Sequence, residues 1–190
     1  MRFLLLLATS TLLAAGPDFN ANQELQRPPD YRNWIFLTSG LGMSYGPAAR
    51  EMAVPPFDNI FVEPTAHAGF LKTGHWPEGT MFVLELRRSL TGQSINKTGR
   101  SQGDVVAIEM AVKDSERFKD RDGWGYFEFG NGVTSKAAFP ASSDCNACHK
   151  ANTATDNTFV QFYPTLIEVA RAKGVLKATY LETEKQAEKK

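Results

Sequence analysis

Two cysteines three residues apart, followed at once by a histidine, constrain this chain more than any other feature: Cys145-Asn146-Ala147-Cys148-His149. They are the only cysteines in 190 residues, so no disulfide framework can stand in for a hydrophobic core, and the thiols act as one pair. On one turn of helix, residues three apart share a face. Both sulfurs can therefore meet one edge of a flat macrocycle while the next residue turns inward. C-x-x-C-H is the attachment pattern of c-type haem, in which the thiols add to two vinyl groups and the histidine becomes the proximal iron ligand. Shuffling the cysteines and histidines over the chain yields the pattern about twice in ten thousand trials, which sets chance aside. Three other readings stand beside haem attachment: a thioredoxin-like redox pair, half of a zinc site, and a structural disulfide. The first wants a preceding strand and helix in a βαβ unit, whereas the motif follows Phe139-Pro140-Ala141-Ser142-Ser143-Asp144. The second wants further ligands, and His67 and His75 stand singly and far upstream. The reading carried forward is one covalent haem c per chain, held by Cys145, Cys148 and His149, with His149 on the iron.

The N-terminus agrees. Met1-Arg2 and the apolar run from Phe3 to Ala15 have the positive start, apolar stretch and small-residue end of a secretory signal. Residues 1–15 are therefore expected to direct export to the periplasm, and covalent haem loading of this kind belongs outside the bacterial cytoplasm. The run is too short to cross about 30 Å of bilayer hydrocarbon, and no other stretch competes. The 21 basic and 21 acidic residues cancel, and loss of Arg2 would leave one acid in excess. Such a balance excludes a basic nucleic-acid binder and gives no strong attraction to a membrane surface. Residues 16–30 read as a polar, proline-marked leader and residues 181–190 as a charged, frayed tail.

Between these ends the pattern alternates strands and turns. Strands are predicted over 31–38, 57–62, 80–88, 104–112 and 124–129, from their aromatic and β-branched content and Gly/Pro boundaries. Pro64 opens a predicted helix through Lys72, closed by Gly74. Residues 92–103 suit a long hairpin connection, and 115–119 a short helical piece. After the motif, Pro164 opens a helix in which Leu166, Ile167, Ala170 and Lys173 share a face. The fold class is α+β: an antiparallel sheet of about five strands with short helices, and haem attached near the C-terminal helix. The strand-rich segment before the motif excludes the all-helical cytochromes.

Several blocks in fixed order carry a resemblance: Tyr31-Arg32-x-Trp34; Phe70-x-Lys72-Thr73-Gly74 leading to Gly79-Thr80; Val112-Lys113-Asp114-x-x-Arg117-Phe118; Cys145-x-Ala147-Cys148-His149-Lys150; and Thr155-Asp156-x-x-Phe159-x-x-Phe162-Tyr163-Pro164. From Tyr31 to about Gly174 the chain resembles the cytochrome P-460 and cytochrome c-prime-beta family, which places the haem domain at 31–180. The resemblance implies an antiparallel fold, commonly a homodimer, and one covalent haem open on the side away from the motif histidine. One branch of the family cross-links a lysine to the haem edge and oxidises hydroxylamine. The other has an apolar pocket and binds small gases such as nitric oxide.

Where the cross-linked branch carries its lysine, five positions beyond the Gly of the Gly-Thr pair, this chain has Leu84. Strand alternation puts Thr80, Phe82 and Leu86 on the face of Leu84, and Met81, Val83, Glu85 and Arg87 on the other. The expected haem face is apolar, with Phe61, Phe82 and Leu84 as candidate cofactor contacts. The position of the pocket arginine of the hydroxylamine-oxidising members falls at Asp58, or at Phe57 or Asn59 with one slip. Lys72 matches a helix-end lysine of the family and suits a helix C-terminus. His67, His75, Met43, Met52, Met81 and Met110 are in principle further iron ligands, though the resemblance implies none. Three functions follow: binding of nitric oxide or a similar small nitrogen ligand, oxidation of hydroxylamine, and electron transfer with a redox partner protein. In any of them, Cys145→Ala or Cys148→Ala should weaken or abolish haem retention through acid-acetone extraction, and His149→Ala should change the iron's spin state in the visible spectrum and its ligand binding.

Overall fold

The computed structural model describes residues 16–45, 53–130 and 132–188. The expected signal segment 1–15, Gly46, Pro47 and Met52 lie outside them. Five strands form one antiparallel sheet in the order β2 (Ile35–Leu41), β3 (Phe57–Val62), β4 (Met81–Leu90), β5 (Ser101–Lys113) and β6 (Trp124–Gly130), each paired with its neighbour in sequence. The small ribbon of β1 (Leu25–Gln26) and β7 (Ser135–Lys136) stands apart. Helices α1 (Pro64–Thr73), α2 (Asp144–Asn152), α3 (Ile167–Ala172) and α4 (Ala178–Ala187) complete the chain. Among the described residues no helix is long and apolar enough to cross a membrane.

Local chemistry explains the helix boundaries. Pro64 sits in the first turn of α1, where its missing N–H costs nothing, and the Glu63 carboxylate accepts the Ala66 N–H at 2.8 Å. Gly74 ends the helix at φ +79°, returning its N–H to the Phe70 carbonyl at 2.7 Å. The expectations for this helix and for four strand cores hold. The first strand begins later than expected: Tyr31–Asn33 form a 3-10 turn that sends the Tyr31 hydroxyl down to Glu85, and extended pairing starts at Ile35. The piece at 115–119 is a turn running into a 3-10 turn at Lys119–Arg121, and β5 extends back to Ser101 inside the expected connection. Pro164 precedes the helix by a turn, and α3 begins at Ile167, with Leu166 and Ala170 fully buried.

Two cores lie on opposite faces of the sheet, as strand alternation requires. On one, Phe82, Trp124 and Tyr126 pack with Phe70, Trp76, Val160, Tyr163, Leu166 and Ala170 from the helical side. On the other, Met81, Val83, Met110, Val112, Phe127 and Phe129 pack with Leu25 and Tyr31. The polar N-terminal stretch covers this face of the sheet, where Leu25 is completely buried. The charged C-terminus is no frayed tail through Ala187, because Glu184 accepts from Arg171 at 2.8 Å and from the Tyr180 hydroxyl at 2.7 Å, holding α4 in register.

Beneath the second core, Glu85 is 1% exposed and accepts hydrogen bonds from Tyr31, Arg32 and Arg87. Burial alone would raise its pKa, yet these donors together hold it below the ordinary 4.5. A depressed folded pKa contributes stability that is complete above the unfolded value and is lost as pH falls through the folded one. Glu85→Gln should cost about 2 kcal/mol in urea unfolding of the holoprotein, less than for a fully buried pair because Arg32 is half exposed. It should also flatten the wild-type loss of stability below about pH 4.5.

Candidate functional site

Cys145 and Cys148 lie one turn apart on α2, a helix entered from an extended Ser143, and both are free thiols. Both line a cavity of about 380 Å³ between the sheet and the helical side, and His149 lines it with them. The cavity receives Phe82, Leu84 and Leu86 from β4, Asp58 and Ile60 from β3, Glu109 and Ala111 from β5, and Tyr126 from β6. These come together through register. Leu84 pairs with Ile60 on one side and Glu109 on the other, and Ala111 pairs with both Phe82 and Tyr126, so their side chains leave the sheet in one direction. Phe159, Phe162 and Tyr163 supply the opposite wall.

His149 is held in one tautomer. Its Nδ1 lies 2.8 Å from the Asn157 carbonyl oxygen, which can only accept, so Nδ1 carries the proton and Nε2 keeps its lone pair. Burial holds the imidazole below its usual pKa range, against the opposing effect of that hydrogen bond. Its ring is also fixed between Tyr126, at 4.3 Å between centroids, and Phe159, at 4.7 Å. The accepting turn is itself anchored. Asp156 pairs with Lys113 Nζ at 2.7 Å and accepts the Trp124 indole N–H at 3.3 Å, while the Thr158 hydroxyl accepts the Trp76 indole N–H at 2.9 Å.

Two free thiols on one helix face, an imidazole with an uncommitted Nε2 and a largely apolar cavity are the donor set and surroundings of a haem attached at C-x-x-C-H. The rival readings lack support. Among the described residues the sheet is antiparallel throughout, so no βαβ unit precedes the motif, and no cluster of three or more His, Cys, Asp or Glu could hold a metal ion. His67 and His75 do not line the cavity, nor does Lys72.

The family model described as Cytochrome P460 matches residues 28–160. The chain belongs to the cytochrome P460 family. It is therefore a c-type haem protein of that family, and the matched stretch takes in the five-stranded sheet, the motif and the turn that holds His149. A comparison with curated proteins finds no match.

The structure brings together five of the six residues singled out from the sequence: Cys145, Cys148, His149, Phe82 and Leu84 all line the cavity. Phe61 does not. It lies on the opposite face, edge-on to Tyr31 and Phe36 at 5.7 and 5.6 Å, and its neighbour Ile60 takes the cavity position. The segment Phe57–Val62 carries large apolar residues at both parities, so hydrophobicity alone does not choose its face. The same register places Asp58 in the cavity and turns Phe57 and Asn59 away. Of the methionines weighed as ligands, Met43 and Met110 are among the lining residues, Met110 also belonging with Met81 to the core across the sheet.

The face is less uniformly apolar than β4 alone implies. Burial raises the Asp58 pKa to about 6, partly offset by a hydrogen bond from the Met43 backbone N–H. Glu109 is also raised, by burial first and then by the charges of Glu128 and Asp58. Alternation along β5 would have shown Glu109 sharing a face with Ala107 and Ala111, across from Leu84. No sequence signal marks the Asn157 carbonyl, because any residue supplies one. A carboxyl whose folded pKa is raised contributes stability present below its unfolded value and lost as pH rises through the folded one. Asp58→Asn holoprotein should therefore gain stability over wild type as pH rises from about 3.8 to about 6, measured by urea unfolding across that range.

Proposed function

We propose that this cytochrome P460 family member is an exported protein whose single haem, bonded to Cys145 and Cys148 and ligated by His149, binds nitric oxide or a similarly small nitrogen ligand. The observation that carries the reading is Leu84 at the cavity position where the cross-linking branch has lysine, flanked by Phe82 and Ile60. Haem held by Cys145, Cys148 and His149 would supply an iron able to take a small diatomic ligand. The rest belongs to the chain. Asn157 fixes the His149 tautomer, so that Nε2 is the ligating atom, and Tyr126 and Phe159 hold the ring orientation. Leu84, Phe82 and Ile60 crowd the cavity with groups that offer no hydrogen bond, which favours a nearly apolar diatomic over polar dioxygen. The apolar N-terminal run supports periplasmic export, and the family resemblance supports a homodimer.

One observation favours a second reading, oxidation of hydroxylamine. Asp58 and Glu109 both line the cavity, and two carboxyls with raised pKa values are suited to accept the protons released as a nitrogen substrate gives its electrons to an external acceptor. Against it stand Leu84 and the lack of any arginine or lysine among the described lining residues.

The purified ferrous protein should show a high-spin, five-coordinate visible spectrum that nitric oxide converts stoichiometrically. A low-spin spectrum indifferent to nitric oxide would sink both ligand-binding readings in favour of electron transfer. Mass spectrometry of the digested protein should find haem on the Cys145–Cys148 peptide and on no other. A second, lysine-containing peptide on the macrocycle, with hydroxylamine turnover, would select the second reading.

A further inference from the structure

We infer that Lys177 is a positioning residue for His149, clamping the motif helix and the accepting turn together and placing a cation beside the axial imidazole. The inference rests on the assignment of His149 to the iron. Lys177 lies beyond the stretch matched by the family model, immediately before α4.

Its geometry reaches His149 by two routes. Lys177 Nζ donates to the Thr153 hydroxyl at 2.8 Å, and that hydroxyl donates to the His149 carbonyl at 2.6 Å. Nζ also lies 3.4 Å from Asn157 Oδ1, on the residue whose main-chain carbonyl holds His149 Nδ1. A third bond, to the Lys150 carbonyl at 3.0 Å, ties Nζ to the last turn of α2, where orphan carbonyls and the helix dipole favour a cation. The Lys177 backbone N–H donates to the Ala154 carbonyl at 2.8 Å, fixing the start of the side chain as well as its end. A helix C-terminus alone would be satisfied by the bond to Lys150. The bonds to Thr153 and Asn157 bring the charge to both sides of the residue that follows the second cysteine.

The neighbouring carboxylates pair first with other cations, Asp156 with Lys113 at 2.7 Å and Asp122 with Lys150 at 3.0 Å, so among the described residues no salt bridge reaches Lys177, although both acids still act on its charge at longer range. Burial lowers the Lys177 pKa, the mark of an ammonium drawn partly out of water, and the imidazole registers its charge. A fixed cation near an iron centre stabilises the reduced, less positive state. A positioned acceptor for Nδ1–H governs how strongly Nε2 donates to the metal.

The test uses the haem-loaded protein. Poised at the wild-type midpoint potential, Lys177→Gln should show its ratio of reduced to oxidised protein lowered by about threefold or more, and Lys177→Arg should restore the ratio. The iron–histidine stretching vibration of the ferrous protein should shift in Lys177→Gln. An unchanged ratio in Lys177→Gln, or a ratio in Lys177→Arg as low as in Lys177→Gln, would overturn the inference, since a merely structural bond gives no such charge dependence. Should Lys177→Gln fail to load haem, Thr153→Val decides: it keeps the Asn157 carbonyl and the extended backbone at 153 but cuts the route through the hydroxyl, and a vibration identical to wild type would overturn the clamp. A wild-type protein lacking the iron–histidine vibration would instead remove the assignment of His149, a failure distinct from that of Lys177.

Discussion

The hydrogen bond from His149 Nδ1 to the Asn157 carbonyl is the interaction on which the site depends. It decides which ring nitrogen faces the cavity, and a rotated or differently protonated ring would present no lone pair there. A carbonyl can do this only if the backbone around it is immobile. Asp156 and Asn157 both adopt positive φ, 43° and 52°, a region that Asp and Asn tolerate better than other side-chain-bearing residues but that still needs support from its surroundings. Here the surroundings are the end of the sheet. Lys113, the last residue of β5, holds Asp156 and also donates to the Trp76 carbonyl at 2.9 Å, while Trp124, the first residue of β6, donates to the same carboxylate. The ladder between β5 and β6 thus sets the position of an imidazole carried by a helix that belongs to neither strand.

The same ladder divides the molecule by function. Alternation sends one set of side chains to the cavity and the other to a closed core, so a one-residue slip in any central strand would exchange the two. Three features oppose a slip of β4: the buried Glu85 with its three donors, the Asn59–Gln102 pair at 2.7 Å, and the cover provided by Leu25 and Tyr31. All lie on the face away from the cavity. Polar specificity on one side of the sheet therefore secures the register of apolar residues on the other. Gly125 serves the same packing, since a Cβ there would fall 2.4 Å from the Phe118 ring.

Legibility in the sequence followed how local each determinant is. The motif, the capped helix α1 and the alternation of β4 are properties of contiguous residues, and they could be read directly. The face of β3 could not, because Phe57, Ile60, Phe61 and Val62 offer apolar side chains to both sides and only pairing with β4 decides between them. The N-terminal cover escaped for a related reason: one leucine amid polar residues carries no periodicity, yet a sheet face left bare by the helices makes its burial worthwhile. Glu109 was within reach of the alternation argument on β5. The Asn157 carbonyl and the reach of Lys177 were not, since both depend on where distant segments meet.

The composition of the cavity wall has a consequence for what it admits. Its described lining offers aliphatic and aromatic groups, the hydroxyls of Thr38, Thr158 and three tyrosines, the Asn157 amide and two carboxyls, but no lysine or arginine. An anion entering it would give up hydration without gaining a cation, and would meet Asp58 and Glu109 as like charges. A neutral diatomic suffers neither penalty. A small protonatable nitrogen base would find its acceptors already in place. The Asp58 charge also adds to the cost of ionising Glu109, behind burial and the Glu128 charge. On the proposed ligand-binding reading, discrimination would lie in charge before shape: Leu84 would set how close a ligand approaches the wall, and Asp58 and Glu109 which protonation state the cavity tolerates.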